Sequence, residues 1–326
     1  MRHSGMGHGE GTARRDDTVD APDFRVTVRG SSVGVWRYPA ETPGPDLRRQ
    51  ESGPGGSAPS PDEATRSPSL LMLHGLRGTH HGLELLAGAL PERDVLVPDL
   101  PGFGDSGPMT SDQHDSAGYA RAVVELLGEL RSSVGEVDLL GHSFGSVVAA
   151  AVAAEAPELV RRLVLVNPIA SSEFHGSARL LVPVTSLYYR LAAAMPERWG
   201  RRLLANRGIV LAMSRALLRS RDPRVRRFVH DSHLRHFSSF HSPALVAEAH
   251  RSSITDSVGE HVTRLSTPTL VVAGETDEIA PVRRQRELVR RLPAGRLRVL
   301  DEVGHLVHYE AAGEAAREIR TFLDES

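Results

Sequence analysis

From Leu70 onward the chain repeats one unit, a short and wholly apolar run followed by a stretch of helical periodicity. The runs are Leu70–Leu73, Val95–Val97, Val137–Leu140, Leu163–Val166, Leu270–Ala273 and Leu297–Leu300. A strand without a polar side must be covered on both faces, which helices crossing over a parallel sheet provide. The alternation predicts an α/β fold with a mostly parallel, doubly wound sheet. It breaks once: between Pro168 and about Thr263 only helical, arginine- and histidine-rich segments occur. That is roughly a hundred residues where a parallel crossover needs about a dozen. The excess predicts an inserted helical subdomain over 168–263, with the core formed by 24–167 and 264–326.

The 326 residues are enough for one large domain carrying such an insertion. Ahead of the repeat, Phe24–Tyr38 alternates apolar and polar residues around Gly30-Ser31-Ser32, the pattern of a β-hairpin. Residues 1–23 are polar and glycine-rich and read as a disordered tail; 41–68, rich in Pro, Gly and Ser, read as a flexible loop. No apolar leader segment stands at the N-terminus. The longest apolar stretch, Val147–Ala154, is too short to span a bilayer. These features predict a soluble, cytoplasmic protein with no membrane span.

Composition removes several chemistries. Cysteine is absent, and with it disulfides, thiolate metal sites and a cysteine nucleophile. Lysine is absent too, which excludes a Schiff-base lysine and the P-loop lysine. A formal net charge of −2 supplies no overall field for nucleic acid or for an anionic membrane.

Gly141-His142-Ser143-Phe144-Gly145 is a G-x-S-x-G sequence, and Gly30-Ser31-Ser32-Val33-Gly34 is a second copy. Ser32 falls in the expected hairpin, where glycines simply make the turn. Ser143 instead stands between the strand Val137–Leu140 and an alanine-rich helix from Phe144 that stops before Pro157. A serine squeezed there projects its hydroxyl from the sheet edge, with Gly141 and Gly145 relieving the crowding. The helix N-terminus behind it favours a developing anion. The competing reading of Ser143 is a plain helix N-cap.

A serine hydroxyl needs a base. His305, after the last apolar strand and at the expected opening of the final helix, is the candidate, with His308 in reserve; most of the other histidines lie in the tail or the insertion. The base needs a carboxylate to hold its tautomer. Asp277 lies just past Leu270–Ala273, with Glu275 and Glu278 as rivals. The strand before the insertion ends in Asn167-Pro168, without a carboxylate, which favours Asp277. All three residues follow carboxyl ends of parallel strands. Oxyanion donors are expected from the backbone N–H groups of Phe144 and Leu76, the latter in His74-Gly75-Leu76-Arg77-Gly78, where Gly75 lets the backbone turn inward.

With His74-Gly75, Asp99-Leu100-Pro101-Gly102-Phe103-Gly104-Asp105-Ser106, Gly141–Gly145 and Gly304-His305 in this order, the chain resembles the α/β-hydrolase superfamily from about Phe24 to its C-terminus. The order Ser, Asp, His matches the family. The resemblance implies a nucleophile elbow at Ser143, a catalytic triad, and a helical cap roofing a pocket for a small molecule with an apolar portion. No cofactor and no metal is implied. A carboxylic ester is the expected substrate; a C–C bond, a thioester and a lactone are alternatives for the same machinery. A non-catalytic binder of a small molecule is the alternative of another class.

Other features are weaker. His230, His233 and His236 recur at a spacing that could gather imidazoles for zinc, though a histidine-rich cap surface is the preferred reading. Leu180–Leu191, with Tyr188 and Tyr189, could line the pocket entrance or pack the cap on the core. Gly78-Thr79-His80-His81-Gly82 has no assigned role beyond opening a helix.

Overall fold

A computed structural model describes residues 21–41, 68–173 and 177–325. The expected tail (but for its last three residues) and almost all of the expected loop at 41–68 therefore lie outside the described residues. Eight strands form one sheet: β1 Phe24–Val28, β2 Ser31–Tyr38, β3 Leu70–Leu73, β4 Val95–Pro98, β5 Val137–His142, β6 Val160–Val166, β7 Thr269–Gly274 and β8 Gly295–Leu300. Their order is β1-β2-β4-β3-β5-β6-β7-β8. β1 and β2 pair antiparallel and β2 joins β4 antiparallel; every other pairing is parallel. The hairpin turn falls at Arg29-Gly30, one residue earlier than the glycine-serine cluster suggests, and both residues have positive φ (49° and 75°). That is the condition for the tight turn whose twist suits a hairpin.

The helices of the core are α1 His80–Gly88, α2 Ser116–Val134 and α3 Phe144–Glu155 ahead of the insertion. Between β6 and β7 come α4 Ser177–Ala194, α5 Glu197–Leu204, α6 Arg207–Leu217, α7 Pro223–His236 and α8 Pro243–Thr255. The core then closes with α9 Val282–Arg291, the short α10 Val307–Glu310 and α11 Ala312–Leu323. The strand runs are apolar throughout because successive residues feed two different cores. Leu71 and Leu73 join Leu139, Leu163 and Leu165 against α2 and α3, whereas Leu70 and Met72 join Leu140, Val164 and Val272 against α1 and α11. The Val147–Ala154 run lies in α3, buried from Val147 to Ala153. No helix among the described residues is long and apolar enough to cross a membrane.

Helices α4–α8 form a cap over the carboxyl ends of the parallel strands. Their inward residues Tyr189, Ala192, Leu204, Leu245, Val246 and Ala249 are continuous with the α2–α3 core, so the cap is not hung on a hinge of polar contacts.

Candidate active site

Ser143 sits between β5 and α3 with φ 52° and ψ −120°, a conformation that a non-glycine residue adopts only under constraint. The constraint is visible on both sides. Its N–H donates to the Val166 carbonyl of β6 (3.0 Å), and its own carbonyl accepts the Ser146 N–H (2.9 Å). Strand and helix nearly touch: a Cβ on Gly141 would lie 2.2 Å from the Gly145 carbonyl oxygen, and one on Gly145 would lie 2.5 Å from that of Leu73. Only hydrogen fits at either position.

The Ser143 hydroxyl is 2.9 Å from His305 Nε2, and His305 Nδ1 is 2.7 Å from Asp277 Oδ2. The carboxylate fixes the proton on Nδ1, which leaves Nε2 to accept from the serine. Asp277 is itself held: Oδ1 accepts the N–H groups of Ile279 (2.8 Å) and Ala280 (3.0 Å). Burial alone would raise its carboxyl, but attraction to His305, their hydrogen bond and the two N–H donors outweigh it and hold the group below the usual carboxylate range. The structure brings together the three residues singled out in the sequence. His305 does not open the final helix, however; it stands in the loop between β8 and α10.

The rival residues lie elsewhere. Glu275 accepts the Glu302 N–H (3.1 Å), and Glu278 pairs with Arg219 (3.0 Å) at the cavity wall. His308 is buried behind His142, ring centroids 4.1 Å apart. Ser32 is exposed on β2.

Two residues hold the His305 loop in place that the sequence offered no role. Asn167, buried at the end of β6 with φ 44°, donates through Nδ2 to the carbonyls of Gly304 (3.0 Å) and His305 (2.8 Å). Its Oδ1 accepts the Gly274 N–H at the end of β7 (2.7 Å). His142 Nε2 donates to the same His305 carbonyl (3.1 Å). Burial, with repulsion from His305 adding to it, pushes the His142 imidazole down to about 3, so it is neutral.

The loop after β3 is equally determined. Leu100 N–H donates to His74 Nε2 (2.9 Å), so the ring proton is on Nδ1, which donates to the Gly75 carbonyl (2.9 Å). That carbonyl also accepts the Gly78 N–H (2.9 Å). Because a trans peptide is planar, the Leu76 N–H points the opposite way from the Gly75 oxygen, leaving the His74 side. Gly75 packs beside Ser143, a Cβ there lying 3.2 Å from the serine Cβ. The Phe144 N–H stands in the first turn of α3, where N–H groups lack intrahelical acceptors. Arg77, which follows Leu76, is fully buried and ties the loop after β3 to the cap, donating to the carbonyls of Leu204 (2.9 Å) and Phe237 (3.1 Å).

The Gly78–Gly82 segment does more than open a helix. His80 gives both its backbone N–H (2.6 Å) and Nδ1 (3.0 Å) to Asp99 Oδ1, while Asp99 Oδ2 accepts the Asp105 N–H (2.9 Å). The buried Asp99 thus locks the start of α1 to the loop after β4.

Above Ser143 lies a cavity of about 490 Å³ with largely apolar walls, its floor carrying Ser143, His305 and Leu76 and its roof Val182, Tyr189 and Phe237. Of the three spaced cap histidines, His230 and His233 both direct Nδ1 at the Ser214 hydroxyl (2.8 Å each), whereas His236 stacks on His81 (3.8 Å between centroids). Among the described residues no group of three metal-binding side chains converges.

A family model described as alpha/beta hydrolase fold matches residues 68–312. Among characterised relatives, 2-hydroxymuconate semialdehyde hydrolase of Pseudomonas putida is 28% identical over 244 residues, covering 72% of this chain and 78% of that one. Lipase 3 of Moraxella sp. (strain TA144) is 24% identical over 273 residues, covering 81% and 79%. Among solved structures, a thermophilic esterase from Thermogutta terrifontis superposes with a TM-score of 0.68 at 20% identity, over 92% of this chain and 97% of that one.

Proposed function

The chain belongs to the α/β hydrolase fold family, and from that premise we propose that it is a serine hydrolase cleaving a small-molecule carboxylic ester through an acyl-enzyme. The observation that carries this reading is the single line of hydrogen bonds from Ser143 Oγ through His305 to Asp277. In the proposed reaction His305 Nε2 takes the hydroxyl proton as Oγ attacks the ester carbonyl. Asp277 stabilises the imidazolium that results. The carbonyl oxygen, now an anion, takes hydrogen bonds from the N–H groups of Leu76 and Phe144. Each such donor contributes about 3 kcal/mol to the transition state. His305 returns the proton to the leaving alkoxide, and a water activated by the same nitrogen then releases the acid. The apolar cavity suits a substrate with an apolar portion.

A second reading, hydrolysis of a C–C bond, is favoured by the match to 2-hydroxymuconate semialdehyde hydrolase. The two are separated by turnover of a series of p-nitrophenyl esters of increasing chain length by the wild type, Ser143→Ala and Ser32→Ala. Ester hydrolysis that falls about four orders of magnitude in Ser143→Ala alone is the expected result. A Ser143→Ala protein as active as the wild type would overturn the nucleophile. An inert wild type whose Ser143 is still labelled by a fluorophosphonate would overturn the ester and leave the C–C bond.

A further inference from the structure

Helix α4 has two apolar faces, and only one of them is used. Val182, Thr185 and Tyr189, spaced by three and four, line the cavity. On the opposite side Val184, Leu187 and Leu191, with Met195 just past the helix end, follow the same spacing and point outward, 64%, 55%, 48% and 41% exposed. Trp199, at the start of α5, extends this stripe at 48% exposed. A run of large apolar side chains this open has no place on an unoccupied protein surface.

The rim of the stripe is cationic. Arg190, Arg198, Arg202 and Arg207 are exposed, and no carboxylate among the described residues lies within 4.0 Å of any of them. Arg198 and Arg202 hold their guanidinium groups over the Trp199 ring, 5.6 and 5.0 Å from its centroid. The imbalance extends through the cap: between Ser177 and Thr255 the sequence has fourteen arginines against four carboxylates, although the whole chain carries −2.

We infer that the outer face of α4 and the start of α5 seat the cap on an anionic lipid surface. An apolar stripe of Leu, Val and Trp bordered by arginines is what lies in the plane of a bilayer interface, side chains in the acyl boundary and cations at the phosphates. A second copy of the chain suits the face poorly, because pairing it with itself would bring two arginine rims together. The chain's own segments 1–20 and 42–67 are poor in side chains to match such a stripe: their only large apolar residues are Met1, Met6, Val19 and Leu47. α4 then separates a lipid surface from the cavity by the thickness of one helix, which places apolar substrates beside the site. This last consequence rests on the hydrolase reading; the docking itself does not.

The test uses the full chain and vesicles of phosphatidylcholine alone or mixed with phosphatidylglycerol, read by co-sedimentation and by Trp199 emission. The chain has two tryptophans, and Trp36 is buried, so a blue shift on binding reports Trp199. Binding at least about tenfold tighter to the anionic vesicles is expected, since each arginine at such a surface contributes about fivefold. Leu187→Glu with Leu191→Glu should abolish binding. Arg198→Glu with Arg202→Glu should weaken it at least about tenfold. Both should leave turnover of a short, monomeric ester and the circular dichroism spectrum unchanged. No binding, equal binding to both vesicles, or variants that bind like the wild type would overturn the inference. So would a wild-type dimer in sedimentation velocity that Leu187→Glu with Leu191→Glu dissolves. An enzyme inert toward esters that still binds as described would refute the ester reading alone.

Discussion

Asn167 makes the sharpest test of how the site is held. Its side chain hydrogen-bonds to neither Ser143 nor Asp277, yet three backbone groups depend on its amide: the Gly274 N–H and the Gly304 and His305 carbonyls. In Asn167→Ala the His305 carbonyl keeps His142 as a donor (3.1 Å). The other two groups lose the partner that Asn167 provides, at about 1–3 kcal/mol for each buried group left unmade. A loss of about 2–6 kcal/mol in urea unfolding follows, nearer the low end where a water enters. The effect on rate should be distinct. The loop carrying His305 loses its anchor to β6, and a displacement of about 1 Å in a catalytic group costs about a hundredfold. We expect kcat for a p-nitrophenyl ester to fall ten- to a hundredfold, by order of magnitude, with KM within about threefold. Asn167→Asp sharpens the test. The new carboxyl can replace the amide only while protonated, because ionised it faces two carbonyl oxygens. Its folded-state pKa must therefore be raised, so its stabilisation is complete below about 3.9 and is lost as pH rises through the folded value. A variant of Asn167→Ala with lowered stability and unchanged kcat would refute the positioning role, leaving only a packing one.

Two further outcomes follow from the same geometry. His74→Ala removes the Nδ1–H that fixes the Gly75 carbonyl, so the Leu76 N–H loses its aim and kcat should fall about a hundredfold, as for loss of one oxyanion donor; an unchanged kcat would show that the Gly78 N–H alone suffices. The buried neutral histidines His142, pushed down to about 3, and His233, pushed down to about 4 with burial as the main cause, take up protons on unfolding. Their folded values are depressed, so the stability they confer is present above the unfolded value near 6.5 and is lost as pH falls below it, by up to about 1.4 kcal/mol per pH unit for each. Urea midpoints at pH 7 and pH 5 should differ accordingly, and the difference should shrink in His142→Asn.

The strands were legible because burial on both faces leaves an unbroken apolar run, and the runs mark β3 and β4 to within a residue. They fall short at β6 and β8, where Arg162, Gly295 and Arg296 belong to the ladder although their side chains carry no apolar signal. Pairing there is made by backbone groups, which any residue supplies. Ser143, Asp277 and His305 were legible for a related reason: each lies just past a strand end, so local grammar locates it. Asn167 was visible only as the place where a carboxylate is missing. Its partners are 107, 137 and 138 residues away in sequence, and nothing near position 167 announces them. The same holds for His80 and Asp99, whose pairing depends on two loops meeting above the sheet.

The cap shows a different limit of sequence reading. Periodicity reports which residues of a helix are apolar, and it offers two uses for the Leu180–Leu191 run, pocket wall or cap packing. The structure makes both: Tyr189 lines the cavity and stacks on His250 of α8 (4.3 Å between centroids). Apolar side chains remain over, on the outer face that borders neither. A net charge of −2 conceals the matching electrostatic feature, because the excess of arginine in the cap is offset by carboxylates elsewhere in the chain. Net charge is a sum over the molecule, whereas a surface at close range feels only charges within about a Debye length, roughly 8–10 Å. A cap can therefore be strongly cationic on a nearly neutral protein, and its partner is to be sought from the charge of the face that meets it.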